Sequence, residues 1–231
     1  MKDFDFIYIV IFLVGLSLSR ILNICIQRIP LNQGNITRRY YWVELISGFV
    51  PVFLFSKYGL SPDFAAFTFL MYILIIIFFI DLEHQIIPNE LVIIAMFGGT
   101  VVFIYNLFRP FLIYSDHLWW NPLLGMVSGS GFLLAVSFFG SLLYKTEEVM
   151  GMGDVKLFAP IGLFLGWRMT LLALFISVVL GGMISLLLIL LGKATRKSTI
   201  PFGPFIVIGV FITVMWGWDI AYWYLHNFWY Y

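Results

Sequence analysis

The stretch FAAFTFLMYILIIIFFID at residues 64–81 carries no charged side chain before its last residue, Asp81. As a helix rising ~1.5 Å per residue, this stretch covers most of the ~30 Å hydrocarbon core of a bilayer. It therefore predicts a transmembrane helix that ends in a carboxylate.

The rest of the chain has the same composition. Of its 231 residues, 62% are hydrophobic and 11% are charged, and 25 are Phe. Apolar runs of roughly 17 to 25 residues recur along it, which predicts spanning helices rather than the alternating strands of a barrel. We expect an all-α, polytopic membrane helix bundle in a single domain, residues 1–231, with about eight transmembrane helices. The predicted helices cover about 6–26, 41–55, 64–80, 91–108, 123–144, 150–167, 169–191 and 205–225.

Charge predicts the orientation of these helices. The odd-numbered loops carry eight Lys or Arg residues, whereas the N-terminus and the even-numbered loops carry four. By the positive-inside rule, the odd-numbered loops are cytoplasmic and both termini lie outside. The net charge of +1 gives no reason to expect a nucleic-acid partner, and membrane lipid is the expected surrounding.

A second carboxylate lies in MGMGDVKLFAPIGLFLGW, residues 150–167. Asp154 opens the sixth predicted helix from the cytoplasmic side, where the third helix ends at Asp81. Residues 157–167 are too few to cross ~30 Å at ~1.5 Å per residue, so the glycine-rich stretch before them is expected partly at membrane depth. Irregular backbone at that depth is tolerated where it is buried in protein or lines a wet cavity.

Two nearby carboxylates can activate water without a metal. Because like charges in a poorly solvated site do not both ionise easily, one keeps its proton as an acid while the other acts as a base. Gly151 and Gly153 would leave a backbone edge open to an extended substrate. The residues alone leave other functions open. Asp81 and Asp154 could be structural acids at the interface, or could relay protons in a proton-coupled transporter or channel.

The residue pattern resembles the type IV prepilin peptidases, membrane aspartic proteases that remove leader peptides from pilins and pseudopilins. The stretch at 150–167 resembles their GxGD signature, and FFIDLEHQIIPNEL at 78–91 resembles their first aspartate motif. Three further stretches resemble helices of the family in the expected order: LSLSRILNICIQRIP, RRYYWVELISGF and IPFGPFIVIG.

The resemblance implies a function and its setting. It assigns Asp81 and Asp154 as the catalytic pair, with Gly151 and Gly153 shaping the site. It implies a prepilin or pseudopilin substrate of a type IV pilus or type II secretion system, cleaved at the cytoplasmic face of the bacterial inner membrane. A catalytically idle assembly factor that only holds pilins is a further alternative.

One departure from the family concerns cysteine. Larger family members carry a cysteine-rich zinc module between their first two helices, whereas this chain has LNQGNI there and Cys25 as its single cysteine. The sequence therefore predicts a peptidase with no metal and no cofactor, and puts methyltransferase activity in doubt. Asn89 stands where the family often has Asp.

Other charged residues flank the two motifs. We hypothesise that Glu147 and Glu148, together with Glu83 and Glu90, attract the basic residues of a leader. The alternative is that they are solvated loop charges. Lys156, two residues after Asp154, is expected to balance local charge or to meet lipid phosphate.

Overall fold

The computed structural model describes residues 2–29, 40–114, 116, 118–144, 151–193, 195 and 198–228. These residues form seven helices and one 3₁₀ turn, and no strand occurs among them. Six of the helices are long and apolar enough to cross a membrane. The helices are α1 (Lys2–Arg28), α2 (Tyr41–Tyr58), α3 (Pro62–His84), α4 (Asn89–Phe108), α5 (Asn121–Tyr144), α6 (Met152–Leu190) and α7 (Gly203–Phe228), and the 3₁₀ turn is Leu112–Tyr114.

Helix α6 folds back on itself at Gly166, whose φ of 70° and ψ of 169° are not helical. Phe158 and Thr170 lie on either side of this residue and would be about 18 Å apart along a straight helix. A Cβ placed on Gly129 of α5 would nevertheless lie 3.1 Å from Phe158 Cδ1 and 2.7 Å from Thr170 Cγ2. The two halves of α6 therefore run in opposite directions. With the two halves of α6 counted separately, the described residues form eight helical segments, which is roughly compatible with the predicted bundle of about eight transmembrane helices.

The reversal is held by side chains that satisfy the interrupted backbone. The Asn121 side-chain oxygen accepts a hydrogen bond from the Trp167 N–H at 3.1 Å, and the Tyr114 hydroxyl donates to the Leu163 carbonyl at 2.6 Å. Such partners are required at membrane depth, where water does not satisfy freed backbone groups. Gly166 itself has a positive φ, and a Cβ there would overlap the Asn121 side chain.

Helix α3 lies at the centre of the bundle. Along it Leu70, Leu74, Ile77 and Ile80 have no exposed surface, and it packs against α1, α2, α4 and α7. A helix that is apolar on all sides is expected in such a buried position. The C-terminal part of α3 is therefore held rigidly, and with it the side chain of Asp81.

Packing of the helices brings a different set of helix ends together at each end of the bundle. The end of α3, the start of α4, the start of α6 and the start of α7 meet at one end of the bundle. The opposite end contains the start of α3, the 3₁₀ turn and the reversal in α6. We call these the dyad end and the far end.

Candidate active site

Asp81 lies in the last turn of α3 and is 5% exposed. Its Oδ2 atom accepts a hydrogen bond from the Gly203 N–H at 2.8 Å. Gly203 is the first residue of α7, and the N-terminus of a helix favours a negative charge because its first N–H groups have no partner inside the helix. The start of α7 therefore holds the Asp81 carboxylate in place.

The contact between these two residues requires glycine. A Cβ on Gly203 would lie 2.6 Å from Asp81 Oδ2 and 3.0 Å from its Cγ. The sequence analysis did not single out Gly203. The Gly-Pro pair before a long apolar run is typical of a helix start, but it does not reveal which carboxylate faces that start.

Asp154 lies in the first turn of α6, and Gly151 is the residue that caps this helix. The Asp154 N–H donates to the Gly151 carbonyl at 3.1 Å. A Cβ on Gly151 would lie 3.1 Å from Asp154 Oδ2, so the carboxylate turns back over the helix N-terminus. Each carboxylate thus lies at the N-terminus of a long helix, Asp154 at that of its own helix α6 and Asp81 at that of the neighbouring helix α7.

Asp81 and Asp154 line one cavity of ≈ 780 Å³. They are close enough for the charge of Asp81 to act on Asp154. Gln85, Asn89 and Lys156 also line this cavity, which gives it a polar wall at the end of an otherwise apolar bundle. The structure therefore brings together the two acids that the sequence analysis paired.

Gly151 and Gly153 both line the cavity but have different surroundings. Gly151 is exposed, so its backbone is accessible. A Cβ on Gly153 would lie 3.0 Å from Ile87 Cβ, so this glycine allows α6 to pack against the segment that follows α3. The substrate-binding role of both glycines stays a prediction, and Gly153 also has a packing role that the sequence analysis did not foresee.

Lys156 is part of the cavity wall. Its Nζ donates to the Asn89 side-chain oxygen at 3.3 Å. Because Asn89 begins α4, this bond links the starts of α4 and α6. Lys156 thus brings a positive charge to a cavity with two acids, and its part in local charge balance stays a prediction.

Gln85 connects the other side of the cavity. It ends α3 in the left-handed conformation with φ 54°, and its N–H donates to the Asp81 carbonyl at 2.9 Å. Its side-chain oxygen lies 3.4 Å from the Thr199 hydroxyl. A non-glycine residue with positive φ is uncommon and often marks a functional segment.

Of the four glutamates proposed to attract a leader, the structure describes two. Glu147 and Glu148 lie outside the described residues. Glu83 accepts a hydrogen bond from the Tyr40 hydroxyl at 2.6 Å and lies 3.8 Å from His84 Nε2. Glu90 is exposed at the start of α4. Leader attraction by these residues stays a prediction.

The described residues contain no group of three His, Cys, Asp or Glu side chains that could hold a metal ion. Metal-free and cofactor-free chemistry remains an expectation drawn from the residues. Cys25 is partly buried in α1.

Comparison with known proteins identifies the family to which this chain belongs. The sequence model of the type IV leader peptidase family matches residues 68–186, a little over half of the chain and a range that includes both Asp81 and Asp154. The chain belongs to this family.

Curated relatives of this leader peptidase family member carry a more specific name. The prepilin leader peptidase/N-methyltransferase of Aeromonas hydrophila is 32% identical over 197 residues, which cover 85% of this chain and 64% of the relative. The proteins of the same name from Legionella pneumophila and Stutzerimonas stutzeri are each 31% identical, over 81% and 80% of this chain and 62% and 61% of their own lengths. The chain thus spans somewhat less than two thirds of these relatives. No solved structure matches it significantly.

Proposed function

We propose that this chain is a membrane aspartic endopeptidase that removes the basic leader peptide from type IV prepilin-like or pseudopilin-like substrates. The observation that carries this proposal is the pairing of Asp81 and Asp154 at one polar cavity in a member of the leader peptidase family. Three relatives named as prepilin leader peptidases support the substrate class.

The two carboxylates would hydrolyse the peptide bond through a shared water molecule. The charged carboxylate takes a proton from the water, and the resulting hydroxyl adds to the carbonyl carbon. The protonated carboxyl gives its proton to the carbonyl oxygen. The intermediate then collapses, the C–N bond breaks, and a proton passes to the leaving amine. One proton shared between two acids suits this sequence, because two like charges in a poorly solvated site do not both ionise easily.

The hydrogen bonds suggest how the two roles are divided. Asp81 accepts a backbone N–H from Gly203 at the start of α7, and a donor of this kind favours the charged form of a carboxylate. We therefore assign the base to Asp81 and the acid to Asp154. Lys156, bonded to Asn89, moderates the negative charge of the cavity without touching the reacting atoms.

The setting of the reaction follows from the same proposal. The apolar helices make the chain a multi-pass membrane protein. We propose that it resides in the bacterial inner membrane with the dyad end facing the cytoplasm, because the odd-numbered loops of the predicted topology carry eight Lys or Arg residues and the N-terminus and even-numbered loops carry four. A basic leader would then approach from the cytoplasm, with its apolar helix in the bilayer.

Methyl transfer is not part of the proposed activity. The relatives are named N-methyltransferases as well as peptidases. In the family, the zinc module associated with methylation is rich in cysteine, and Cys25 is the single cysteine of this chain. We therefore propose cleavage without methylation of the new N-terminus.

The competing function was a proton-coupled transporter or channel that uses Asp81 and Asp154. The comparisons lend it no support, because the matching family and the relatives are described as peptidases. A pilin-holding protein without catalysis is separated from a peptidase by the experiment below.

The proposed function is tested with purified protein in lipid vesicles and a prepilin that carries a basic leader. Wild type, Asp81→Asn and Asp154→Asn are compared by leader loss and by the mass of the new N-terminus after addition of S-adenosylmethionine. We expect each variant to lose roughly 10²- to 10⁴-fold in rate, the usual contribution of a general acid or base. The wild-type product is expected to be unmethylated. Cleavage at the wild-type rate by both variants would remove the basis for an aspartic mechanism.

A further inference from the structure

An apolar groove lies between α2, α3 and α7, separate from the cavity that contains the two acids. Its volume is ≈ 280 Å³ and the side chains that line it are all apolar. The walls include Ile46 and Val50 of α2, Phe78 of α3, and Val207 and Phe211 of α7. At this size the groove accommodates a few large side chains, being slightly smaller than the ~300–1,000 Å³ typical of small-molecule sites.

The groove is closed at its far end by contacts that join α2 to α7. Lys57 and Tyr58, at the end of α2, both donate hydrogen bonds to the Val214 carbonyl, at 3.1 and 2.7 Å. The rings of Phe53 and Phe211 meet edge to face with their centroids 6.4 Å apart. Ile46 of α2 and Val207 of α7 lie nearer the dyad end than these contacts, so the groove extends from them along the bundle towards the end that contains Asp81.

The wall of the groove continues directly from the Asp81 site. Gly203, Val207 and Phe211 are spaced four residues apart, so they lie along one face of α7. The first of them donates to Asp81, and the other two line the groove. On α3, Phe78 and Asp81 are three residues apart and are neighbours on the helix surface. A peptide leaving the carboxylate along α7 thus reaches the groove within about one helical turn.

We propose that this groove binds the apolar segment that directly follows the cleaved bond of the substrate, an inference that rests on the proposed function. The cavity around the two acids is polar and the adjoining groove is apolar, so together they match a peptide whose cleavage site divides a charged leader from an apolar helix. A lipid chain would suit the apolar lining. Its presence would not account for the alignment of the groove with Asp81.

Filling the groove tests this assignment kinetically. Val50→Trp places a large ring in the groove, and Val179→Trp makes the same change on the exposed face of α6 as a matched control. With a prepilin that retains its apolar helix, in lipid vesicles, we expect Val50→Trp to raise KM roughly tenfold and to leave kcat nearly unchanged, as for lost binding of one large apolar side chain. Val179→Trp is expected to match wild type.

Photo-crosslinking tests the same assignment without cleavage. Ile208 lies at the groove and is 38% exposed, so p-benzoylphenylalanine at this position in the Asp154→Asn protein can reach an occupant. We expect a crosslink to the first residues after the cleavage site, and none from the same probe at Val179. Crosslinks to phospholipid alone, with an unchanged KM in Val50→Trp, would overturn the groove assignment while leaving the proposed function intact. If wild type cleaves no prepilin, the proposed function fails, and the crosslink still decides whether the groove binds an apolar peptide.

Discussion

Helix α3 carries a buried aspartate at each end, and the two have different surroundings. Asp63 at the far end is 6% exposed and Asp81 at the dyad end is 5% exposed. Asp63 accepts the Leu112 N–H at 3.0 Å and lies close enough for its charge to act on the hydroxyls of Tyr58 and Tyr114. Asp81 accepts one backbone N–H and lines a cavity that it shares with a second acid.

The comparison shows that burial of an acid does not by itself identify a catalytic group. Asp63 lies in the first turn of its helix after Ser61, which accepts the Phe64 N–H, so this end is built as a helix start. Asp81 instead lies where its own helix ends and depends on the start of α7 for stabilisation. The far end is organised for stability, whereas the dyad end contains the polar cavity that we propose receives the substrate.

Removing each carboxylate in turn gives the largest expected contrast. Asp81→Ala is expected to lower the cleavage rate by roughly 10²- to 10⁴-fold and, because it leaves the Gly203 N–H without its acceptor, to cost about 1–3 kcal/mol of stability as well. Asp63→Ala leaves the Leu112 N–H without its acceptor and is expected to cost about 1–3 kcal/mol of stability with kcat retained. Cleavage assays and unfolding in detergent measure the two effects on the same preparations. Equal losses of activity in both variants would erase the distinction between the ends.

Gly203→Ala is expected to lower the cleavage rate by roughly 10- to 100-fold, because misplacement of a catalytic group by about 1 Å has effects of this size. The new methyl group would displace the Asp81 carboxylate from its N–H donor. Loss of a donor that favours the charged form also moves the acidic limb of the pH–rate profile to higher pH.

Gly182→Ala is the matched control for this substitution, since a Cβ at Gly182 meets no atom within 4 Å. We expect it to reproduce the wild-type rate and pH profile. A Gly203→Ala protein that behaves like the control would mean that α7 does not hold Asp81.

Gly166→Ala tests whether the reversal of α6 at the far end contributes to the stability of the protein. The positive φ and the overlap with Asn121 lead us to expect a loss of about 1–3 kcal/mol in the free energy of unfolding. Gly59→Ala introduces the same kind of backbone strain at φ 59° with no atom within 4 Å of the Cβ, so it is expected to cost less. Unfolding of both variants in detergent measures the difference, and equal losses would show that Asn121 does not hold the reversal.

The smallest effect is expected at Lys156. Because its amine bonds an exposed Asn89 and is not proposed to touch the reacting atoms, Lys156→Gln is expected to lower kcat/KM by less than about tenfold. Steady-state kinetics at two salt concentrations measures this change in kcat/KM. A loss as large as that of Asp81→Ala would place Lys156 in the chemistry.

The sequence predicts the helices and the two acids, because both depend on local signals. Apolar runs of spanning length define the helices, and the predicted break between the helices at 150–167 and 169–191 lies next to the reversal that the structure has at Gly166. The GxGD stretch and the aspartate motif at the end of α3 single out Asp154 and Asp81, whose catalytic role stays a prediction. These features can be read from neighbouring residues alone.

The remaining features depend on contacts between distant parts of the chain. The bond between Gly203 and Asp81 joins residues 122 positions apart, and the bond between Lys156 and Asn89 joins residues 67 apart. No periodicity or spacing in one sequence specifies such pairs. The same holds for Asn121, whose contact with the reversal depends on how α5 packs against α6.

The most direct test of a joint role for Asp81 and Asp154 is a double-mutant cycle on prepilin cleavage in vesicles. Groups that act as one unit are strongly non-additive, so we expect Asp81→Asn, Asp154→Asn and the double variant to retain the same low residual rate. A double variant whose loss equals the product of the two single losses would show that the acids act independently, and would contradict a shared catalytic pair.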